Sequence, residues 1–344
     1  MGMLMSSFVA AILITDSDVI RYYVKKPISD AYLVLIGEQK YIFTDKRYFY
    51  GITCNENETK ILYESFNDVV SLLKERNVTE IGLIYEYTSL YVYNLLINND
   101  FKVFDYTSEY NKISSVKNSE EISLIKKSCE VCQKSFYQTI KHIKAGITEL
   151  ELSAILEYYF KKNGATSTSF ESIVAFGEGS AIPHYKTSNI VLKKDMPILM
   201  DFGCIVDGFA SDMTRSLYFG NPTDKFVKVY NSVLKAHNKA IDGITHGISG
   251  IKADSFARNS LKLDGYGEYF THSLGHGVGV KVHESPRLSP KGEATLVNGN
   301  VFTIEPGVYL NGEFGIRIED TFYLENGKCK SFMTDSKELL TLKA

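Results

Sequence analysis

The feature of this sequence that most constrains its fold is a set of acidic residues inside or at the ends of apolar, strand-like runs. Asp201 follows the run Pro-Ile-Leu-Met, and Asp212 comes next, beyond a glycine-containing turn. Glu305 lies within VFTIEPGVYL, and Glu319 alternates with isoleucines in FGIRIEDTFYL. A carboxylate buried in such a run is costly unless a cation or hydrogen-bond donors compensate it. The chain must therefore fold so that these side chains meet a compensating partner.

Each of these residues also has an ordinary explanation when it is taken alone. Asp201 could cap a turn or form a salt bridge, and Glu305 could simply end a strand before its proline. Glu319 could pair with a nearby basic side chain, and His276, which is flanked by glycines, could be a loop residue. These explanations must be made separately for each residue, whereas one cation site accounts for all of them.

The ligand types indicate which cations such a site would hold. Carboxylates suit hard ions and an imidazole admits transition metals, whereas a calcium site needs only oxygen ligands. A catalytic zinc ion takes three protein ligands, which leaves two acids unexplained. Two divalent ions with a bridging hydroxide use every one of these side chains and nearly balance their charge. The sequence thus predicts two divalent metal ions per chain, with Mn²⁺ or Co²⁺ favoured and Zn²⁺ or Fe²⁺ as alternatives.

Several separated motifs, taken in order, resemble a known family. The segments D-F-G…S-D-M-T-R, H-S-L-G-H-G-V-G…H-E-x-P, T-I-E-P-G and G-I-R-I-E-D are similar to the motifs of the pita-bread metallopeptidases, which include prolidase, aminopeptidase P, methionine aminopeptidase and creatinase. The resemblance covers about residues 118–325, and YIFTDKRY extends it weakly to the preceding region. It implies an α+β fold, with a C-terminal pita-bread (creatinase/aminopeptidase-like) catalytic domain that has an internal pseudo-repeat, preceded by a smaller α/β N-terminal domain.

The resemblance also implies a role for each of the four acids and for His276. Asp201 is similar to the terminal carboxylate ligand of one metal ion, and Asp212 and Glu319 are similar to carboxylates that bridge both ions. His276 and Glu305 resemble ligands of the second ion. Glu305 is also similar to the residue that carries a proton from the activated water to the leaving amine.

Further residues resemble substrate-contacting and supporting positions of the family. His184, in AIPHYKT, is similar to the histidine that meets the substrate near the scissile bond, and His283, in VHESP, to the one that stabilises the tetrahedral intermediate. Arg317 and Tyr309 resemble a pair that supports the metal ligands. His272, in FTHSLGH, has weaker motif support, and its interpretation as a hydrogen-bonded strand histidine is preferred to a role in the site.

The order of apolar strands and amphipathic helices divides the chain. Residues 1–112 alternate between the two, which predicts a small α/β domain whose apolar start forms a buried first strand and whose segment AYLVLIGEQKYIFTD forms a hairpin. The polar stretch 107–121 separates this domain from residues 113–344, the predicted catalytic domain.

Helix-end signals refine the catalytic domain. Ser119 is predicted to cap a helix that runs to about Lys144. The capping box Thr148-Glu-Leu-Glu opens a second helix, which ends near Gly164. A similar pair of helices follows about 101 residues later and ends near Gly265, which suggests an internal repeat.

The extra N-terminal domain indicates a prolidase or an aminopeptidase P, since methionine aminopeptidases of this family commonly lack it. The predicted activity is therefore hydrolysis of Xaa-Pro bonds in small peptides with proline in second position. Because proline lacks an amide N–H, its pocket would be apolar and aromatic, and Phe176 and Tyr185 are candidate walls unless they are ordinary core residues. Arg287 could bind a dipeptide's carboxylate, which favours a dipeptidase over an aminopeptidase acting on longer peptides. A metal-free protein-binding homologue is a third possibility.

Composition excludes other classes of function. With 38 basic and 41 acidic residues, a net charge of -3 gives no basic field for nucleic acid or anionic lipid, and the apolar N-terminus is too short to span a membrane. Cys129 and Cys132 form a lone C-x-x-C, interpreted as two reduced thiols in a cytoplasmic protein, with a redox or metal-binding role as the alternative. His142, His237 and His246 lack motif support and are expected at the surface. The family resemblance further implies a homodimer.

Overall fold

The structure is a computed structural model that describes residues 9–344 of the 344-residue chain. The chain forms two compact units, one that ends at Ile113 and a second that spans Ser114–Ala344. Within the described residues, no helix combines the length and apolar character that a membrane span requires. The predicted division at residues 112 and 113 stays a prediction.

The first unit is built on a mixed six-stranded sheet of order β4-β3-β2-β1-β5-β6. Its strands are β1 Val9–Ile14, β2 Tyr32–Ile36, β3 Gln39–Thr44, β4 Glu58–Leu62, β5 Val78–Leu83 and β6 Lys102–Asp105. Its helices are α1 Ser17–Val24, α2 Lys46–Phe49, α3 Phe66–Glu75, α4 Leu90–Ile97 and α5 Thr107–Ser115, the last of which continues into the second unit.

Both faces of this sheet are buried because its strands carry apolar residues at successive positions. Leu13 and Phe43 belong to one hydrophobic cluster, while their neighbours Ile14 and Ile42 belong to another. The predicted hairpin is present as antiparallel β2 and β3, and its turn contains Gly37 at φ +58°. The predicted first strand is β1, and the residues before Val9 lie outside the described part of the chain.

The second unit contains four long helices and most of the strands. The helices are α6 Ser119–Thr139, α7 Glu149–Lys162, α8 Asp224–Gly243 and α9 Gly250–Leu263. The strands are β7 Ser167–Thr168, β8 Ile173–Phe176, β9 Met196–Phe202, β10 Cys204–Val206, β11 Phe209–Ala210, β12 Met213–Phe219, β13 Gly275–Gly277, β14 Glu284–Leu288, β15 Val301–Ile304, β16 Gly307–Leu310, β17 Phe314–Arg317, β18 Asp320–Glu325, β19 Lys328–Ser331 and β20 Leu340–Leu342.

These strands form two larger sheets, of order β20-β12-β9-β8 and β14-β13-β15-β18-β19, together with smaller ones. An isolated bridge between Thr214 and Glu319 joins the two larger sheets at one point. Helices α8 and α9 cover part of the second sheet, where side chains such as Val233, Ala257 and Phe302 form a shared core. The strands thereby bring acidic residues from distant parts of the sequence to adjoining strand ends.

The second helices of the two pairs, α7 and α9, begin and end alike, as an internal repeat predicts. Thr148 caps α7 through the predicted capping box, and Ser249 caps α9. Gly164 and Gly265 follow these helices with φ values of +106° and +85°, which favour glycine because other residues are strained there.

Three local predictions need correction. The cap of α6 is Asn118, with Glu121 completing a capping box, so Ser119 is instead the first helical residue. That helix ends at Thr139 and a 3-10 turn follows, so it stops short of Lys144. The polar stretch 107–121 also contains helix α5, although most of its residues are weak helix formers, because tertiary context overrides local propensity.

Candidate metal centre

Two antiparallel strands position the first two acidic residues. Asp201 lies near the end of β9 and pairs with Thr214 of β12. Asp212 comes directly before β12 and is 4% exposed. The bridge between Thr214 and Glu319 then places a third carboxylate beside the same strand. A strand pair and one bridge therefore assemble three of the predicted residues.

His276 reaches the cluster from β13, where the flanking glycines allow close packing of strands. A Cβ atom on Gly275 would lie 2.0 Å from the carbonyl oxygen of Thr303, and one on Gly277 would lie 2.1 Å from that of Ser285. Only glycine fits at such distances, so the glycines of GHG let β13 lie tightly between β14 and β15. His276 is thus a strand residue, and the loop interpretation of this position is wrong.

The ligand atoms of Asp212, His276 and Glu319 lie within 4.8 Å of one another. His276 Nε2 is 3.6 Å from Asp212 Oδ2 and 3.4 Å from Glu305 Oε1. Glu305 lies just beyond β15, and its backbone N–H donates to the carbonyl of Leu274. Four of the predicted metal ligands therefore face one small space.

Asp201 borders the same space. Its negative charge helps to raise the pKa of Asp212, Glu305 and Glu319. Among residues 9–344, neither Asp201 Oδ1 nor Asp212 Oδ1 has a hydrogen-bond partner, although both atoms are buried. Buried carboxylate oxygens are normally hydrogen-bonded or bound to a cation.

The electrostatics of the cluster indicate missing positive charge. Burial raises the pKa of Asp212 and of Glu319 well above the ordinary range, and the neighbouring carboxylates raise both further. Burial also raises the pKa of Glu305 to about 8, although Arg317 opposes this change. Burial lowers the pKa of His276 to about 3, which keeps the imidazole neutral and able to bind a metal ion.

Arg317 pairs with Asp201 at the edge of the cluster, and its predicted contact with Tyr309 is present. Its Nη1 donates to the Tyr309 hydroxyl at 2.5 Å, and its Nη2 donates to Asp201 Oδ2 at 2.5 Å. Its Nε donates to Thr214 Oγ1 at 3.0 Å. The guanidinium thereby fixes Asp201 and the strand beside it, but one positive charge faces four carboxylates.

Two threonines that sequence reasoning missed orient the carboxylates. Thr214 Oγ1 donates to Glu319 Oε2 at 2.5 Å, and Thr303 Oγ1 donates to Glu305 Oε1 at 3.2 Å. Thr303 Oγ1 also accepts a hydrogen bond from the backbone N–H of His276. The motifs S-D-M-T and F-T-I-E contain both residues, so the signal was their position two residues from an acid, on the same face of a strand.

His272 belongs to this hydrogen-bond network. Its Nε2 lies 2.9 Å from the Tyr309 hydroxyl, and its Nδ1 lies 3.8 Å from Glu305 Oε2. Burial lowers its pKa to about 3, so the ring is neutral. The interpretation of His272 as a hydrogen-bonded histidine is therefore right about its bonding, although the residue lies in a loop.

The three predicted substrate-contacting residues lie at the margin of the cluster. The ring of His283 meets that of His276 edge-on, with 4.3 Å between centroids. Partial desolvation lowers the pKa of His283, and the charges of His184 and Arg287 lower it further, which places all three in one neighbourhood. The side chains of His184, His283 and Arg287 are exposed and so accessible to a ligand.

The structure decides between the alternatives for the aromatic candidates and corrects one histidine. Phe176 is 2% exposed and is a core residue, whereas Tyr185 is half-buried and donates its hydroxyl hydrogen to Glu149 at 3.0 Å. His237 is fully buried in α8, so its expected surface position is wrong. The pattern of α8 places it on the helix face that packs against Phe322. His142 and His246 are exposed, as predicted.

The chain resembles known peptidases over nearly its whole length. The model of metallopeptidase family M24 matches residues 123–326. The Xaa-Pro dipeptidase of Pyrococcus furiosus is 33% identical over 322 residues, which cover 91% of this chain and 90% of that protein. The solved structure of an X-Pro aminopeptidase from Thermotoga maritima is 32% identical and superposes with a TM-score of 0.90, covering 97% of this chain and 98% of that one. That of a Xaa-Pro dipeptidase from Bacillus anthracis is 30% identical, with a TM-score of 0.92 and coverage of 97% and 95%.

The chain therefore belongs to metallopeptidase family M24. The predicted fold is confirmed, with a pita-bread second unit preceded by a smaller α/β unit. The prediction of a metallopeptidase is confirmed as well. A divalent metal ion fits the cluster, because the buried oxygens without partners and the excess of carboxylates are what a bound cation would satisfy.

Proposed function

We propose that this chain is a dinuclear metal-dependent exopeptidase that hydrolyses the Xaa-Pro bond of dipeptides and short peptides. Its ligands would be Asp201, Asp212, His276, Glu305 and Glu319, with Asp212 and Glu319 shared between two ions. The observation that carries the proposal is the convergence of four buried or largely buried carboxylates and a neutral imidazole, opposed by one guanidinium. Two relatives named as Xaa-Pro dipeptidases, each at least 30% identical to the chain, support the substrate class.

The number of negative charges supports two ions and not one. Four carboxylates carry four negative charges, which two divalent cations neutralise while a single one leaves half of them. Carboxylate oxygens dominate the ligand set, which favours Mn²⁺ or Co²⁺ over Zn²⁺, with Fe²⁺ also compatible. When bound, the ions would supply an activated water at neutral pH and a positive charge beside the scissile carbonyl.

The residues of the chain then account for the proton transfers and for charge stabilisation. Glu305 Oε1 lies 3.4 Å from His276 Nε2, so its carboxylate borders the proposed reaction site and would be placed to accept a proton from the nucleophile and return it to the leaving proline nitrogen. His283, in contact with His276 and accessible at the margin, can donate a hydrogen bond to the oxygen that becomes negative. His184, whose charge acts on His283, would contact the substrate near the same bond.

Arg287 would bind the carboxylate of a dipeptide. It lies opposite His276 in the pairing of β13 and β14, with an exposed side chain. A guanidinium binds a carboxylate through two parallel hydrogen bonds, which favours a substrate that ends directly after its proline. The resemblance to the Thermotoga maritima X-Pro aminopeptidase supports a second candidate function, cleavage of longer peptides at the same bond.

The test combines metal analysis with kinetics. The protein is purified, its metal content is measured by mass spectrometry, and Xaa-Pro dipeptides and Xaa-Pro-Yaa tripeptides are assayed with Mn²⁺, Co²⁺, Zn²⁺ or Fe²⁺ added in turn. We expect two divalent ions per chain and faster turnover of dipeptides. Faster turnover of tripeptides would instead support the aminopeptidase.

Two variants show whether the cluster holds the ions. Asp212→Ala should lose bound metal and activity together, because it removes one of the buried carboxylates that would hold the metal. Glu325→Gln is the matched control, since it removes an exposed carboxylate from β18, the strand that follows Glu319. A protein that binds no divalent ion and cleaves neither peptide class would be the metal-free binding homologue.

The proposal extends to assembly and location. A homodimer is proposed from the family resemblance, and light scattering would give about twice the chain mass of 38.7 kDa. A cytoplasmic location is supported by the five cysteines, which are free in the structure and three of which are buried. Fractionation of the source cells tests it.

A further inference from the structure

Glu149 is a buried carboxylate that the proposed mechanism does not use. It is the first residue of α7 and has no exposed surface. Burial of a carboxylate is costly, and a methionine or leucine at this position would pack without that cost. The start of a helix favours a negative charge, which offsets part of the cost but does not explain why a carboxylate is present.

The hydrogen-bond partners of Glu149 explain its presence. Oε1 accepts the backbone N–H of Phe176 at 2.7 Å, and Oε2 accepts the backbone N–H of Ser188 at 3.0 Å. Oε2 also accepts the hydroxyls of Ser188, at 2.8 Å, and of Tyr185, at 3.0 Å. All four donors are uncharged, and all belong to the segment from Phe176 to Ser188.

Phe176 and Ser188 are the two ends of one loop, here called the His184 loop, which comprises residues 177–187. A single carboxylate thus binds both ends of the loop and closes its neck. Inside the loop, Tyr185 packs against Gly179, because a Cβ atom on that glycine would lie 2.9 Å from the tyrosine ring. His184 directly precedes this anchored tyrosine, so its backbone is fixed on one side.

The His184 loop is also fixed against the strand that carries Arg317. The backbone N–H of Gly315, in β17, donates to Ser180 Oγ at 2.9 Å. Thr187 Oγ1 accepts the N–H of Val174 and donates to the carbonyl of Ser172, which ties the loop end to β8. The loop is therefore set between the helix that supplies Glu149 and the strand that supports Asp201.

We infer that Glu149 is a positioning residue for His184: by binding both ends of the His184 loop, its carboxylate sets the place of the histidine beside the metal centre. This inference rests on the proposed function, in which His184 contacts the substrate. Glu149 itself lies away from the substrate and acts through the loop.

The first test is kinetic and uses Glu149→Gln. The glutamine has the same shape, but its amide NH₂ cannot accept the backbone N–H that one carboxylate oxygen accepts, so one end of the loop loses its acceptor. We expect kcat/KM on a Xaa-Pro dipeptide to fall at least tenfold, with the metal content unchanged. Glu151→Gln is the matched control, since Glu151 caps the same helix through Thr148 and does not contact the loop. It should keep full activity.

A double-mutant cycle separates positioning from a general loss of stability. If Glu149 acts through His184, Glu149→Gln should have less than a twofold effect in a His184→Ala background. The same tenfold loss in both backgrounds would overturn the inference, because the carboxylate would then act independently of the histidine.

Hydrogen exchange provides a readout that does not depend on catalysis. Peptides covering residues 176–188 should exchange faster in Glu149→Gln than in the wild type and in Glu151→Gln, while peptides from α8 should not change. Unchanged exchange in 176–188 would contradict the inference even if the wild type proved inactive. An inactive wild type with faster exchange in Glu149→Gln would refute the proposed function and leave the loop-closing role of Glu149 supported.

Discussion

The second unit contains two buried clusters of charge that share the same strands but differ in balance. Thr214 and Glu319 belong to the candidate metal centre, whereas the adjacent residues Arg215 and Asp320 belong to a network on the other side of the strands. Successive residues of a strand point to opposite faces, so one bridge between β12 and the start of β18 supports both clusters.

The second network is neutral as a whole. Arg215 Nη2 lies 2.7 Å from Asp320 Oδ1 and 2.8 Å from Asp335 Oδ1. Lys337 Nζ lies 2.7 Å from Asp320 Oδ2 and 3.0 Å from Asp335 Oδ1. Burial alone would raise the pKa of Asp335, but Arg215 and Lys337 outweigh it and lower that pKa. In the metal centre the carboxylates outnumber the guanidinium of Arg317, and the pKa values of Asp212, Glu305 and Glu319 rise.

The comparison shows how a buried charge cluster can be interpreted. A cluster with its own counterions stabilises one arrangement of the chain, here the segment that leads to β20. A cluster with an excess of one sign is unstable by itself and implies a ligand of the opposite sign. The predictions below test whether imbalance marks function and balance marks structure.

The largest effect is expected for Glu305→Gln. The amide cannot carry the proton between nucleophile and leaving nitrogen, a role worth roughly 10²–10⁴ in rate, so kcat should fall about a thousandfold or more. When both proteins are metal-free, the variant should also melt at the same or a higher temperature than the wild type at pH 8, because a buried negative charge is removed. Steady-state kinetics and thermal melts check both. Near-normal turnover would remove Glu305 from the mechanism.

Asp335→Asn should have the opposite profile. It leaves Arg215 and Lys337 with one buried carboxylate between them, and removal of one member of a buried ion pair costs about 3 kcal/mol of unfolding free energy. Metal content and kcat of the folded protein should change little. Denaturant unfolding measures the first effect and metal analysis the second. Loss of metal without loss of stability would contradict the separation of the two clusters.

The stabilisation by metal should grow with pH. In the metal-free protein the folded-state pKa of Glu305, about 8, exceeds its ordinary value of 4.5. The stability that this group contributes is complete below 4.5 and is lost as pH rises through 8, because the unfolded chain releases the proton first. Metal ions bind the ionised carboxylates and reverse this loss. The melting temperature with Mn²⁺ minus that with EDTA should therefore be larger at pH 8 than at pH 6.

The stability of the protein also depends on pH through His237, so the melting temperatures with and without metal must be compared at each pH. Burial lowers the pKa of His237 to about 4, below its ordinary 6.5, so the stability that it contributes is present above 6.5 and is lost as pH falls through 4. Its effect is the same with and without metal and cancels in the difference. A metal-dependent shift that did not change between pH 6 and pH 8 would contradict the charge imbalance of the cluster.

The sequence predicted the candidate metal ligands better than the residues that hold these ligands in place. The acids stood out because charged residues are unusual in apolar strands, and His276 stood out because glycines flank it. Thr214, Thr303 and Arg215 did not stand out, since a polar residue in a strand is ordinary until its partner across the sheet is known. Glu149 was recognised only as part of a helix start, because its partners lie beyond the helix in a loop whose closure no local pattern indicates.

For the helices, too, local signals were predicted better than features that depend on packing. Capping and glycine signals located α7 and α9 well, whereas the start of α6 was misplaced by one residue because asparagine and serine are both good caps. The burial of His237 was missed because a histidine on the apolar face of a helix is recognised only from the whole periodic pattern of α8.

The smallest predicted effect concerns substrate length and the exposed Arg287. Because this side chain is exposed, binding of a carboxylate removes little of its hydration. Its contribution to the free energy of binding should therefore be close to that of one hydrogen-bonded ion pair. Arg287→Ala should lower kcat/KM for a dipeptide about tenfold, or about 1.4 kcal/mol, and should leave a tripeptide of the same first residues within about twofold. The conservative variant Arg287→Lys should recover only part of the loss, because an ammonium cannot form the paired hydrogen bonds. Equal losses on both substrates would show that Arg287 acts on the position of His276 across the strand pair and not on the substrate's carboxylate.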